Sequence, residues 1–279
     1  MFNFLHTFTP SPILLQIGWL KIYWYGLFIA LGALVAFLIF LYLAKKYSIS
    51  KDTAYNLSFY LLIFGLLGDR LYYVLYAWPY YSQNLLDIFK IWQGGLAIHG
   101  AMIGGFLVIY FFSKKHKLNP WLILDILVVA LAAAMAIGRF GNYFNQELFG
   151  LPTDLPWGIP ILPEKRPTEF LNAGFFHPTF LYECLGNLII FALLFGWHKI
   201  RLSKIKTPGQ IRGAGNIALA YFILYSLARF GNEFLRLDYS PYIFGLRWAQ
   251  FASLIIISIC IIIIIYKFWL KRKFIKDSG

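Results

Sequence analysis

Apolar residues fall into seven long runs, at roughly residues 22–44, 54–77, 97–113, 121–141, 178–198, 214–236 and 246–267, separated by short polar or aromatic segments. A helix needs about 20 mostly apolar residues to cross a bilayer. The pattern therefore predicts an all-α, polytopic integral membrane protein with seven transmembrane helices. Lys45, Lys46 and Lys51 follow the first run, and Lys114, Lys115 and Lys117 the third. Lys199, Arg201, Lys204, Lys206 and Arg212 follow the fifth, and Lys271, Arg272, Lys273 and Lys276 the seventh. Under the positive-inside rule these loops are cytoplasmic, which sets the N-terminus outside and the C-terminus inside. No basic residue precedes Lys21 and the first apolar run is too long for a signal-peptide core, so no cleavage is expected.

The opposite loops differ in kind. Residues 78–93 are aromatic, and residues 151–178 carry Pro152, Pro156, Pro160, Pro163, Pro167 and Pro178. Proline fixes its own backbone and is barred from helix interiors, so the second loop reads as an irregular outward-facing cap, a lid over a site, with a disordered linker as the alternative. The expectation is one integral membrane domain over residues 1–279.

Composition narrows the function classes. At 60% hydrophobic and 13% charged the chain lies far from soluble domains, which are about one quarter charged. The net charge of +13 would point to nucleic acid in a soluble protein, but the basic residues sit mostly in short loops between apolar runs. No nucleic-acid partner is expected. Cys184 and Cys260 lie far apart in apolar runs and offer neither a disulfide framework nor a metal-ligand spacing.

Polar residues inside the apolar runs carry the candidate chemistry, because a charge in hydrocarbon costs about 3 kcal/mol or more unless paired or wet. The densest group closes the fourth run: Gly138 to Gly150 holds Arg139, Asn142, Asn145 and Glu147, with Arg139 and Asn142 on one face by their i, i+3 spacing. Glu183, about one turn into the fifth run, needs a proton or a cation, and Arg139 or Arg229 is the candidate. Tyr225, Arg229, Glu233 and Arg236 form one polar stripe in the sixth, where Glu233 and Arg236 are able to neutralise each other. Arg139-Phe-Gly-Asn and Arg229-Phe-Gly-Asn repeat the same four letters, and both arginines lie about 15 to 18 residues into outward-running helices, some 22–27 Å from the cytoplasmic face. Asp69 and Arg70 are expected to pair with other residues rather than each other, and Asp125 to be structural. Gly100 and Gly104 make a GxxxG pair suited to close helix approach. His99 beside them is either a packing histidine or a catalytic or headgroup-contacting one. Tyr23 and Trp24 read as an interfacial aromatic belt, and Tyr25 either joins it or points inward.

Two guanidiniums at headgroup depth suit a phosphate, since a planar fork donates bidentately and stays charged in a poor solvent. An anionic phospholipid is the natural ligand, with Asn142, Asn145 and Tyr25 able to hydrogen-bond glycerol hydroxyls or ester carbonyls. No nucleophile elbow or cluster of metal ligands accompanies them, which favours transfer to an outside acceptor over a lipase or metalloenzyme. The competing class is a phospholipid or anion transporter gripping a phosphate with paired arginines. Against it, the polar residues gather at outer helix ends rather than at paired broken helices near the midplane. A structural scaffold leaves the intramembrane charges unexplained.

At this point the residues resemble a known family, the prolipoprotein diacylglyceryl transferases. The stretch Gly138 to Gly150 is similar to its signature G-R-x-G-N-x-x-N-x-E-x-x-G. Gly94-Gly-x-x-x-x-His99-Gly, His177-Pro-x-x-x-Tyr-Glu183 and Arg229-Phe-x-x-Glu-x-x-Arg236 resemble further segments in the expected order, the whole spanning residues 25–236. The resemblance implies a bacterial inner-membrane enzyme that moves the diacylglyceryl group of phosphatidylglycerol onto the lipobox cysteine of a prolipoprotein signal peptide, releasing glycerol phosphate, with no metal or cofactor. Tyr25, His99, Arg139, Asn142, Glu147, Arg229 and Glu233 match positions on which that family relies. His99 or a water chain would take the thiol proton. Phe180 departs from the pattern, where a glutamine is expected.

Overall fold

The computed structural model describes residues 2–204 and 213–277, without the side chains of residues 2–4 and 270–277. Lys206 and Arg212, and the side chains of Lys271, Arg272, Lys273 and Lys276, which the orientation reading used, lie outside the described residues. A short α1 (Phe2–Thr7) precedes a β1 (Ile13–Ile17) and β2 (Leu20–Tyr23) hairpin. Then come α2 (Trp24–Lys46), α3 (Lys51–Tyr76), α4 (Trp78–Tyr81), α5 (Ile98–Lys115) and α6 (Pro120–Phe144). Strands β3 (Ile159–Pro160) and β4 (Phe175–Phe176) lead to α7 (Thr179–Ser203) and α8 (Asn216–Asn232), and β5 (Tyr242–Ile243) and β6 (Leu246–Arg247) to α9 (Trp248–Asp277). Each expected apolar run is a helix.

Five of these helices, α2, α3, α6, α7 and residues 248–269 of α9, are long and apolar enough to cross a membrane. The other two, α5 and α8, have 18 and 17 residues. The long helices carry bare leucine and isoleucine, such as Leu62 and Leu71 of α3, Ile189 of α7 and Ile262 of α9, at 60% exposure or more. A helix apolar on its open face is solvated by lipid. Local signals set the ends: Ser50 accepts the Thr53 N–H at 3.2 Å as the N-cap of α3, and Pro120 opens α6, where a missing N–H is harmless.

The hairpins depart from the all-α expectation. Ile22 and Tyr23 read as the start of the first apolar run, but with Leu20 and Lys21 they pair with Ile13–Ile17 around Gly18 and Trp19. Gly18 takes φ 58°, a conformation open to glycine at little cost in a tight two-residue loop. The helix starts only at Trp24, whose N–H reaches Pro12 O at 3.1 Å.

The chain divides into two compact units. Of the described residues, one comprises 39–127 and 213–215. In it α3 and α5 pack backbone to backbone, as the GxxxG spacing predicts: a Cβ on Gly104 would strike the Phe64 carbonyl, and one on Gly100 the Gly68 carbonyl. Buried Arg70 turns to the connection between these helices rather than to Asp69, donating to the carbonyls of Asp87 (2.5 Å), Ile88 (2.8 Å), Gly94 (2.7 Å) and Gly95 (2.8 Å). Asp125 is fully buried and accepts the Gly215 N–H at 2.9 Å, a structural role as expected.

The other unit comprises residues 1–38, 128–204 and 216–279. The proline-rich segment in it is packed, not a loose linker. Ile159, Ile161 and Phe176 form a core with Tyr143, Phe149 and Phe180, and β3 pairs antiparallel with β4. Trp157 donates to the Tyr182 hydroxyl at 2.9 Å, which meets His177 Nδ1 at 3.0 Å. Since an indole N–H only donates, the tyrosine proton is left for His177.

Candidate active site

The end of α6 builds one wall. The helix stops at Phe144, and Gln146 (φ 51°) and Leu148 (φ 57°) take left-handed conformations on either side of Glu147. Such backbone costs roughly 1–3 kcal/mol per non-glycine residue and persists only where neighbours impose it. Here they do: Gln146 donates to Pro10 O at 2.9 Å and accepts from Leu162 N at 2.8 Å, while Thr179 Oγ1 donates to Leu148 O. The turn brings Glu147 back to Asn142, whose Nδ2 donates to it at 2.7 Å. Asn142 Oδ1 in turn accepts from Arg139 at 3.3 Å. Two signature glycines are explained by crowding. A Cβ on Gly141 would lie 2.8 Å from the Tyr25 ring, and one on Gly150 2.9 Å from Leu235 O and 2.8 Å from His177 Cβ.

Beside this wall the charges of α6, α7, α8 and β6 converge. Glu183 of α7 is the hub, with Arg139 Nε at 2.5 Å, Arg236 at 3.1 Å, Arg229 at 3.4 Å and the Asn232 amide at 2.6 Å. Glu233 takes Arg229 at 2.8 Å and Arg247 at 2.7 Å, and Asp238 takes Arg236 at 2.6 Å. Glu233 and Arg236 thus draw on other partners than each other, because α8 ends at Asn232 and Arg236 already sits in a β-bridge with Gly150. Burial works to raise the Asp238 pKa, but the Arg236 hydrogen bond and the charges of Arg236, Arg247 and Arg229 outweigh it and hold the carboxyl below its ordinary range. In direct ion pairing, four guanidiniums meet three carboxylates, Glu183, Glu233 and Asp238. The fourth positive charge is balanced by Glu147, which Asn142 holds beside Arg139.

The four arginines are not equivalent. Arg247 donates from all three nitrogens, to Glu233 (2.7 Å), Arg236 O (2.6 Å) and Asp238 O, and Arg236 from two, to Asp238 (2.6 Å) and Glu183 (3.1 Å). Arg139 makes one hydrogen bond, at 3.3 Å, and Arg229 one, at 3.4 Å. Their close carboxylate contacts are ion pairs in which the N–H does not point at the oxygen, so Glu183 Oε2 and Glu233 Oε2 lack hydrogen bonds although guanidinium nitrogens lie 2.5 and 2.8 Å away. Arg139 thus engages Nε and Nη1, and Arg229 Nη1 and Nη2, leaving one nitrogen of each for a further acceptor. Their side chains are 17% and 19% exposed, against 5% for Arg236.

Comparison with known proteins bears on this arrangement. A profile of the prolipoprotein diacylglyceryl transferases matches residues 12–266. The chain belongs to this family. A relative from Synechocystis sp. is 40% identical over 277 residues, 96% of each chain, and one from Nostoc sp. is 42% identical over 247 residues, 88% of this chain and 85% of its own. A third, from Acaryochloris marina, is 40% identical over 95% of this chain and 93% of its own. All three are named phosphatidylglycerol--prolipoprotein diacylglyceryl transferase.

Among the residues that the family pattern singles out, Tyr25, Arg139, Asn142, Glu147, Arg229, Glu233 and Arg236 come together in one unit, with Tyr25 against Gly141. Asn145 lines a cavity of about 540 Å³ with Glu147, Lys165 and Asp238. Tyr225 lines a cavity of about 310 Å³ beside Arg229. His99 belongs to the other unit, exposed on the first turn of α5 and stacked on Tyr72 at 5.7 Å. Phe180 is a core aromatic stacked on Tyr143 at 4.4 Å, so the position where the family pattern expects glutamine makes no polar contact. Sequence reasoning asked for a cation at Glu183 without counting it as part of the site, and it missed Asn232, Asp238 and Arg247. Glu183 carried a signal, an acid in an apolar helix; Arg247 carried none, lying just before an apolar run like an ordinary interfacial basic residue.

Proposed function

We propose that this protein transfers the diacylglyceryl group of phosphatidylglycerol to the thiol of a prolipoprotein lipobox cysteine, forming a thioether and releasing glycerol phosphate. Membership of the family supports the reaction. The observation that carries the assignment of roles is that Arg139 and Arg229 meet on one carboxylate, Glu183, and are the most exposed guanidiniums of the cluster.

In the reaction the cysteine sulfur attacks the terminal glyceryl carbon. The C–S bond forms as the C–O bond to phosphate breaks, and the bonding pair leaves on the phosphate. Negative charge grows on the departing oxygen, and guanidinium donors aimed there stabilise the transition state more than the ground state. The thiolate is the competent nucleophile, and exposed His99 accepts the thiol proton, directly or through water. Asn142, bonded to both Arg139 and Glu147, holds the Arg139 fork in line. Tyr25, Asn145, Tyr225, Glu233 and Arg236 complete the binding surface. In this reading the chain is a single domain with seven spans in a bacterial inner membrane. The N-terminus and the 151–178 cap face outward, and the basic loops face the cytoplasm.

The test uses membranes carrying the protein, labelled phosphatidylglycerol and a lipobox peptide. A thioether-linked lipid on the peptide is the expected product, whereas movement of donor without thioether marks a transporter. Arg139→Lys and Arg229→Lys keep charge but lose the fork. They are expected to lose at least tenfold in rate at matched expression, about 1.4 kcal/mol. Near-normal rates in both would remove the bidentate leaving-group role.

A further inference from the structure

The cavity of about 310 Å³ between α7 and α8 contains, besides Arg229 and Glu183, two carboxamides with no part in the steps above. Asn187 lies one turn after Glu183 and is 4% exposed. Its Nδ2 donates to the Glu183 backbone carbonyl at 2.8 Å, and its Oδ1 is buried without a hydrogen-bond partner. Asn232 donates through Nδ2 to Glu183 Oε1 at 2.6 Å, and its Oδ1 is likewise buried and unpartnered. Neither amide can be turned over, since that would set oxygen against oxygen. Both asparagines thus line the cavity beside Arg229, each with an acceptor oxygen that no group of the protein satisfies. Gly186 and Gly231 also line it, and a Cβ on either would meet nothing, so the wall is open there.

We propose that Asn187 and Asn232 are specificity-determining residues that accept hydrogen bonds from the hydroxyls of a glycerol headgroup while Arg229 takes the adjoining phosphate. A phosphate brings only acceptors, so it satisfies the arginine and not the amide oxygens; a polyol phosphate brings both complements. An ammonium headgroup also donates, but it would enter beside the Arg229 guanidinium that lines the same cavity and meet Glu183 already held by three guanidiniums. A choline headgroup has no donor to offer. The site thus favours a neutral hydroxylated headgroup over both, the discrimination expected where buried polar groups go unpaired with the wrong ligand. This inference rests on the reading above that Arg229 binds the donor phosphate.

The test compares phosphatidylglycerol with phosphatidylethanol, which keeps the phosphodiester and lacks the hydroxyls, as donors to a lipobox peptide with the full-length protein in mixed micelles. The unaltered protein should prefer the glycerol headgroup. Asn187→Leu and Asn232→Leu should lower kcat/KM for phosphatidylglycerol by on the order of tenfold and move the donor ratio toward one. Arg229→Lys should lower turnover of both donors in parallel and leave the ratio in place; if it leaves both rates unchanged, the phosphate reading fails while the asparagine ratios still report on the hydroxyl contacts. Asparagine variants that keep the original ratio, or lose both donors in proportion, overturn the proposal. A measurement free of variants guards against misfolding: glycerol 1-phosphate should inhibit the unaltered protein more strongly than ethyl phosphate. Equal inhibition also overturns it.

Discussion

Replacing Glu183 by glutamine probes how the arginine cluster is held. The side chain keeps its shape and can still accept from Asn232, but its charge is lost to three guanidiniums. They do not suffer equally. Arg229 keeps Glu233 at 2.8 Å and Arg236 keeps Asp238 at 2.6 Å, whereas Arg139 is left with the Asn142 oxygen at 3.3 Å. Removing one partner of a buried ion pair costs about 3–5 kcal/mol. Arg139 is 17% exposed and glutamine remains an acceptor, so a loss of about 2–3 kcal/mol is the better figure here. If that loss appears fully in the transition state, thioether formation slows about 30- to 150-fold. Initial rates with a lipobox peptide and thermal unfolding in detergent measure both quantities. Combining Glu183→Gln with Arg139→Gln should give a coupling energy of about 1 kcal/mol or more, and combining it with Arg236→Gln a smaller one. A rate within twofold of the unaltered protein, or a coupling to Arg236 as large as that to Arg139, would refute the view that Glu183 chiefly anchors Arg139.

Other parts of the fold give sharper stability effects. Gly104→Val places side-chain atoms on the Phe64 carbonyl, which cannot yield, and should destabilise by about 3 kcal/mol; Gly65→Ala, where a Cβ meets nothing, is the matched control and should show no such shift in melting temperature. Tyr143→Phe removes a buried hydroxyl that has no hydrogen-bond partner and should stabilise by about 1 kcal/mol, read in the same melt. Arg70→Lys gives up the fork that gathers four carbonyls and should speed amide exchange across residues 87–97, with α3 itself protected. Burial holds the His177 pKa below its ordinary value near 6.5, so the folded state binds the proton less readily than the unfolded one. Stability is therefore full above about pH 6.5 and declines as pH falls toward the lower folded value. Exchange at residues 151–178 should rise across that window, and His177→Gln should flatten the dependence.

The helices were legible because lipid imposes a single requirement on a spanning segment, and five of the seven apolar runs meet it among the described residues. The β1–β2 hairpin was not, since the alternation of Ile13 to Tyr23 runs without a break into the apolar start of α2, and only the backbone at Gly18 separates them. Charges behave in the same way. That Glu183 required a cation follows from its place in an apolar helix, one step of local reasoning. That it would gather Arg139, Arg229 and Arg236 depends on the chain reversing after α8, and that Arg247 would reach Glu233 depends on the turn at Phe244 (φ 51°) and Gly245 (φ 77°). Pairing across elements is fixed by such reversals and leaves no mark on the spacing within any one of them. The repeated Arg-Phe-Gly-Asn tetrad lies between the two cases. Its equal depth in two helices anticipated that Arg139 and Arg229 reach one level, and both meet Glu183. The two asparagines that follow them nevertheless diverge, Asn142 bonding Glu147 and Asn232 bonding Glu183. Identical letters therefore set two arginines against one carboxylate while their asparagines serve different walls, because the chain turns back to Glu147 after α6 and faces α7 at the end of α8.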